Sequence, residues 1–276
     1  VRDGEALRKY LRRKNMSLVT IVPGLQYEVG GMEYAMTRPE YKEMMQDAAR
    51  RIREASPGIK VLGMVETDWV TIHPEEIPNG QVIVDKTSRG ISGGPEVTKV
   101  IDAANLPWAD SVKRDKSGDV RIERYMGGSP KPQFALGVYP TPGNYQREFL
   151  LGQIKFIMDE VGLDGFYIDE FSQSWSMGIK DYSRWDGFSA DIDPATGELV
   201  RKYTDCGLLG IKPRLEIMRA AFSRGKVVVA NSYSSSLAEQ PLPANRFSET
   251  QSIINPGSLE PGLKPPLLYD VCRGQL

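Results

Sequence analysis

The chain has 276 residues, 40% of them hydrophobic and 26% charged, and a formal net charge of −1. That is the make-up of an ordinary globular protein, long enough for one large barrel or two small domains. The balance of charge argues against a nucleic-acid partner, whose phosphates call for a surplus of Lys and Arg, and no apolar run reaches the roughly 20 residues of a membrane span.

Cys206 and Cys272 stand far apart in sequence and make neither a disulfide framework nor, with His73 as the lone histidine, a zinc site or a Ser-His-Asp triad. The chain opens on Val1 rather than Met, is helix-like from its first residues and carries no secretory signal there. This start fits a processed chain or a piece of a longer polypeptide, and the cellular compartment is not legible.

In chain order, residues 4–14 read as a helix and Leu18–Val22 as a buried strand ended by Pro23-Gly24. A loop with Gln26, Tyr27, Glu28 and Tyr34 follows. Pro39 opens a helix whose Tyr41, Met44, Met45, Ala48, Ala49 and Ile52 have helical spacing. Ile59–Val65 reads as the second strand, ending in Glu66-Thr67-Asp68-Trp69. From about 71 to 130 the pattern reads as an inserted loop and hairpin region. Within it Val82-Ile83-Val84 is predicted as a small strand, 96–104 as a helix, and Val120–Tyr125 as the second arm of a hairpin over 110–128.

Pro132–Val138 is predicted as the third main strand, ending at Tyr139, with Asn144 as a helix N-cap and a helix over Tyr145–Val161. Then come a Gly-Leu-Asp-Gly turn and the apolar strand Phe166-Tyr167-Ile168, broken by Asp169 and Glu170. A loop of about 172–206 carries Trp175, Tyr182, Trp185 and Phe188, with a turn signal at Asp193–Gly197. A helix from Pro213 to about Ser223, closed by Gly225, leads into the strand Lys226–Ala230 and then Asn231 and Tyr233. Asn245–Glu249 is a short strand ending in a carboxylate, and Leu267–Val271 a further strand candidate.

Strands and helices alternate, helix-to-strand junctions are short, and strand-to-helix connections are long and rich in acids and aromatics. That asymmetry predicts an α/β fold of the (β/α)8 barrel type, with long loops on its C-terminal face. No strand end has the Gly-rich phosphate turn of a doubly wound sheet. About six main strands are visible rather than eight: either two escape the pattern or they belong to sequence outside this chain, and the abrupt start favours a barrel incomplete at its N-terminal end. Residues 1–276 are read as one domain.

All confident strands but the first end in polar groups: Glu66 and Asp68, Tyr139, Asp169 and Glu170, Asn231 and Tyr233, and Glu249. If the strands are parallel and adjacent, these groups converge on one cleft. Several carboxylates with Trp and Tyr nearby and no His or Cys cluster suit cleavage of a glycosidic bond, which two carboxyls carry out. The aromatics Trp69, Trp175 and Trp185 would stack on sugar rings. No cofactor is called for, although oxygen ligands such as Glu66 and Asp68 leave room for a structural Ca²⁺. Two other readings stay open: a carbohydrate-binding or scaffold protein on a decayed barrel, and a metal-dependent hydrolase using Asp169, Glu170, Glu66 and Asp68, which the shortage of His disfavours.

Gly162-Leu163-Asp164-Gly165-Phe166-Tyr167-Ile168-Asp169 resembles the G-x-D-G-x-x-x-D signature at the nucleophile strand of barrel glycoside hydrolases such as the α-amylase, α-glucosidase and α-galactosidase groups. The resemblance implies a carbohydrate substrate, Asp169 as catalytic nucleophile and an acid/base at a later strand end, where Glu249 fits; Glu170 is the substitute for Asp169. The likeness is confined to a short stretch. The amylase-type Arg two residues before the nucleophile is replaced by Tyr167, so the chain departs from the amylase pattern.

Overall fold

The residues of the Gly-Leu-Asp-Gly turn each have a backbone task. Gly162 takes up the left-handed conformation (φ 80°) that ends the preceding helix. Asp164 Oδ2 accepts the Val61 amide at 2.9 Å and Arg53 Nη2 at 2.7 Å, and its main chain bonds Val61 O and Val227 N at 2.9 and 2.8 Å. Burial raises this carboxyl, but Arg53, the Val61 amide and Lys60 together hold it below the ordinary aspartate range. Gly165 lies so close to the next strand that a Cβ there would fall 1.8 Å from Val227 O. The motif therefore starts one strand in register with the strands on both sides.

The computed structural model describes residues 4–21, 38–87, 92–125, 132–171, 179–231, 236–239 and 241–247. Helix α1 (Gly4–Arg13) precedes β1 (Leu18–Thr20), and α2 (Arg38–Ala55) precedes β2 (Lys60–Glu66). Then come β3 (Trp69–Ile72), α3 (Gln81–Lys86), α4 (Gly94–Ala103), β4 (Ile122–Tyr125) and β5 (Gln133–Gly137). Helix α5 (Tyr145–Lys155) is capped by the Asn144 side chain, which accepts the Arg147 amide at 3.2 Å, and runs on through a π-helical turn to Val161. Strand β6 (Gly165–Asp169) follows, then the short strands β7 (Lys180–Asp181), β8 (Ala190–Ile192), β9 (Leu199–Lys202) and β10 (Thr204–Asp205). Helices α6 (Cys206–Leu209) and α7 (Ile211–Phe222) lead to β11 (Val227–Asn231) and β12 (Asn245–Phe247).

The main sheet is five-stranded and parallel throughout, in the order β1-β2-β6-β11-β12. That order never reverses. Successive crossovers of one hand therefore stack their helices on one face, as in a barrel wall and unlike a doubly wound sheet. Val61, Val65, Phe166, Ile168, Val228 and Ala230 fill a core with Met45, Ala49, Ile154, Ile157 and Met218 of the helices. Side chains alternate along a strand, so Leu62, Met64 and Glu66, then Tyr167 and Asp169, then Val229 and Asn231 take the opposite face. Among the described residues the sheet is half a barrel, and eight-stranded closure is not seen.

Between β2 and α5 the chain builds a separate antiparallel sheet in the order β3-β5-β4, with its own core around Ile72, Ile83, Trp108, Phe134 and Leu136. This corrects three sequence expectations. Residues 132–138 do form a strand, but in this antiparallel sheet, so Tyr139 does not end a barrel strand. An apolar strand buried on both faces looks the same in either kind of sheet. Val82-Ile83-Val84 lies in helix α3, because Ile83 packs into the insertion's core. Residues 122–125 pair with β5, while the other arm of their hairpin joins residues 119–121, with Asp115 N donating to Asp119 O at 2.9 Å and Arg121 N to Lys113 O at 3.0 Å about an Arg114–Val120 bridge. The 267–271 strand candidate lies outside the described residues.

Gly165→Ala is expected to destabilise the fold by about 3 kcal/mol or more, since backbone rather than a movable side chain blocks the new methyl. Urea denaturation measures this, and a loss under 1 kcal/mol would mean the two strands can part without cost.

Candidate active site

The C-terminal ends of β2, β6 and β11 bring three polar side chains into one row. Glu66 is the register partner of Asp169, on strands about 4.8 Å apart, and Asn231 Nδ2 donates to Asp169 Oδ1 at 2.7 Å. Tyr167, one step below Asp169 on the same face, donates its hydroxyl to that same oxygen at 3.1 Å, as does the Glu170 amide. Three donors on Oδ1 fix the carboxylate, and among the described residues no donor reaches Oδ2.

The turn after β6 is held under strain. Glu170 has φ 49°, a left-handed conformation uncommon for a side chain of its size. Thr67 Oγ1 donates to Glu170 O at 2.8 Å and the Phe171 amide donates to Asn231 O at 3.0 Å. These bonds tie the turn to β2 on one side and β11 on the other.

Glu66 is 1% exposed. Its Oε1 accepts the Asp68 amide at 2.9 Å. Burial first, then the charge of Asp169, push its carboxyl well above the ordinary glutamate range. Asp68, fully buried, pairs with the equally buried Lys113 from the insertion. Burial by itself would pull Lys113 down, but Asp68 beside it holds the ammonium above the ordinary lysine range. Gln146 of α5 steadies the link between the two sheets, accepting from Trp108 Nε1 at 2.8 Å and donating to Thr67 O at 3.4 Å.

Of the residues singled out from sequence, Glu66, Asp68, Asp169, Glu170 and Asn231 meet here. Tyr139 is buried elsewhere, donating its hydroxyl to Asp181 Oδ2 at 2.7 Å. Asp181 also accepts the Arg114 amide and pairs with Arg184, pinning the 179–205 segment to the insertion. Trp69 is 8% exposed in β3 and packs on Ala135. Trp185 is half-exposed, with Lys202 Nζ 3.9 Å from its ring centre. Glu249, Trp175 and Tyr233 lie outside the described residues. Lys113 and Tyr167 are the residues that sequence reading missed. Alternation would have placed Tyr167 beside Asp169, whereas no local signal marks a lysine 45 residues from its partner.

Among the described residues no group of three or more His, Cys, Asp or Glu side chains is arranged to hold a metal ion, and no helix is long and apolar enough to cross a membrane. No protein-family model and no curated protein matches the chain. Solved structures do. A trehalulose synthase variant aligns with 89% of the chain at 16% identity and a TM-score of 0.40, over 45% of its own length. The cyclic α-maltosyl-(1→6)-maltose hydrolase of Arthrobacter globiformis aligns with 86% at 12% identity and 0.38, over 44% of its length. The isomaltulose synthase of a Klebsiella species aligns with 85% at 12% identity and 0.39, over 42% of its length. The chain thus spans less than half the length of these three.

Lys113→Met is expected to cost about 3–5 kcal/mol, because Asp68 is left as a buried charge with its cation removed. Adding Asp68→Asn should restore part of that loss. Urea denaturation of the two variants reads both effects, and a single variant as stable as wild type would contradict the pairing.

Proposed function

We propose that the chain hydrolyses glycosidic bonds in an oligo- or polysaccharide, with Asp169 as nucleophile. One observation carries this reading: Asp169 stands at the end of the central parallel strand with Oδ1 clamped by Tyr167, Asn231 and the Glu170 amide. A carboxylate fixed through one oxygen presents the other in a constant position, which is what attack on an anomeric carbon requires. The strained Glu170 turn adds weight, since left-handed non-glycine residues concentrate at functional sites.

In this mechanism Asp169 Oδ2 bonds to the anomeric carbon while an acid protonates the departing glycosidic oxygen. Water, deprotonated by the same group, then releases the sugar and regenerates the carboxylate. Glu249 is the residue proposed for that acid/base role, following the last residue of β12 by two positions. Asp68 is committed to Lys113, so the sugar-binding role falls to Glu66, Asn231 and the aromatic side chains.

Screening aryl glycosides and polysaccharides against wild type and variants tests the reading. Asp169→Asn should abolish turnover while sparing binding of the sugar, and Glu249→Gln should lower kcat by about 10²–10⁴. Turnover undiminished in Asp169→Asn would remove the nucleophile assignment. Sugar binding without any turnover in wild type would favour a carbohydrate-binding protein.

A further inference from the structure

Glu66 is the one carboxyl of the row that lacks the partners of an ion. Its side chain is 1% exposed and shares the Asp169 face of the sheet. Oε1 has one donor, the Asp68 amide, and no hydrogen-bond partner reaches Oε2 among the described residues. An ionised carboxylate so placed would have to leave water for a single amide, a cost that proteins avoid by keeping the group neutral.

The charges around it act in the same direction. Asp169 and Glu170 face Glu66 from β6 and its turn, and Asp68 faces it from its own chain. Burial first, and then the charge of Asp68, also raise the carboxyl of Glu123 on β4. Lys113 is committed to Asp68. A neutral carboxyl, by contrast, carries one O–H that needs an acceptor, and the described residues supply none.

We propose that Glu66 is a hydrogen-bond donor of the candidate active site: as the neutral acid it offers Oε2–H to a hydroxyl or ring oxygen of the sugar bound over Asp169. The inference rests on the glycosidase reading for its ligand, and on burial and pairing for its protonation state. It assigns two chemically similar groups opposite tasks on adjacent strands. Asp169 gives electrons and Glu66 gives a hydrogen bond, a separation that comes from environment rather than residue type.

The test uses Glu66→Gln, which keeps a donor of nearly the same shape, and Glu66→Ala, which removes it. On whichever p-nitrophenyl glycoside the wild type cleaves, Glu66→Ala should lower kcat/KM about a hundredfold or more, while Glu66→Gln stays within about tenfold of wild type. An equal loss in both variants would overturn the donor role. The protonation state is read separately, from thermal unfolding between pH 4 and pH 8. A carboxyl raised in the fold stabilises fully below its unfolded value near 4.3, and that contribution is lost as pH climbs towards the folded value. Wild type should therefore lose Tm relative to Glu66→Gln as pH rises, by about 3 °C or more between pH 4 and pH 7. A constant gap, or one that moves in wild type's favour, overturns the proposal even if hydrolysis is found. Absence of turnover on every glycoside removes the ligand and the glycosidase reading together, while the Tm series still reports whether Glu66 is neutral.

Discussion

The register of β6 against its two neighbours is the constraint from which the site follows. Gly165 permits it, because its Cα lies where any side chain would strike the main chain of Val227. Asp164 fixes it, by bonding Val61 on one side and Val227 on the other. From that starting point each strand rises in step, and Glu66, Asp169 and Asn231 arrive at the same height on the same face. A slip of one residue would turn Asp169 into the helix layer and Ile168 into the cleft.

Seen this way, the Gly-Leu-Asp-Gly motif is a folding device and not part of the chemistry. Its residues precede Asp169 by four to seven positions, about 13 Å or more of chain at about 3.3 Å per strand residue, yet they determine what stands there. The same division runs through the insertion. Its antiparallel sheet has a core of its own, and among the described residues the insertion sends the site a cation, Lys113, that neutralises Asp68 and leaves Asp169 as the carboxylate held by neutral donors.

Strands β2, β6 and β11 and their polar ends were legible in the sequence because each is a short apolar run broken sharply by a carboxylate or amide. The cap at Asn144 and the turn at Asp193–Gly197, which joins β8 to β9 through the Gly197 amide and Asp193 O at 2.8 Å, were legible for a similar reason: their chemistry is local. What escaped was long-range. Nothing near residues 133–137 says that their neighbours run antiparallel, and the β-branched run at Val82–Val84 is helical because Ile83 faces the insertion's core. The Asp68–Lys113 pair and the Asn231 bond to Asp169 join residues that only the folded chain brings within reach.

The central claim is that Asp169, and not Glu66 or Glu170 beside it, is the group that attacks the sugar. The most direct measurement is mass spectrometry of the protein after reaction with a 2-deoxy-2-fluoro glycosyl fluoride of the sugar it cleaves, followed by sequencing of the labelled peptide. The account predicts one covalent sugar on Asp169 and none in Asp169→Asn. A label on Glu66 or Glu170, or label persisting in Asp169→Asn, would contradict it.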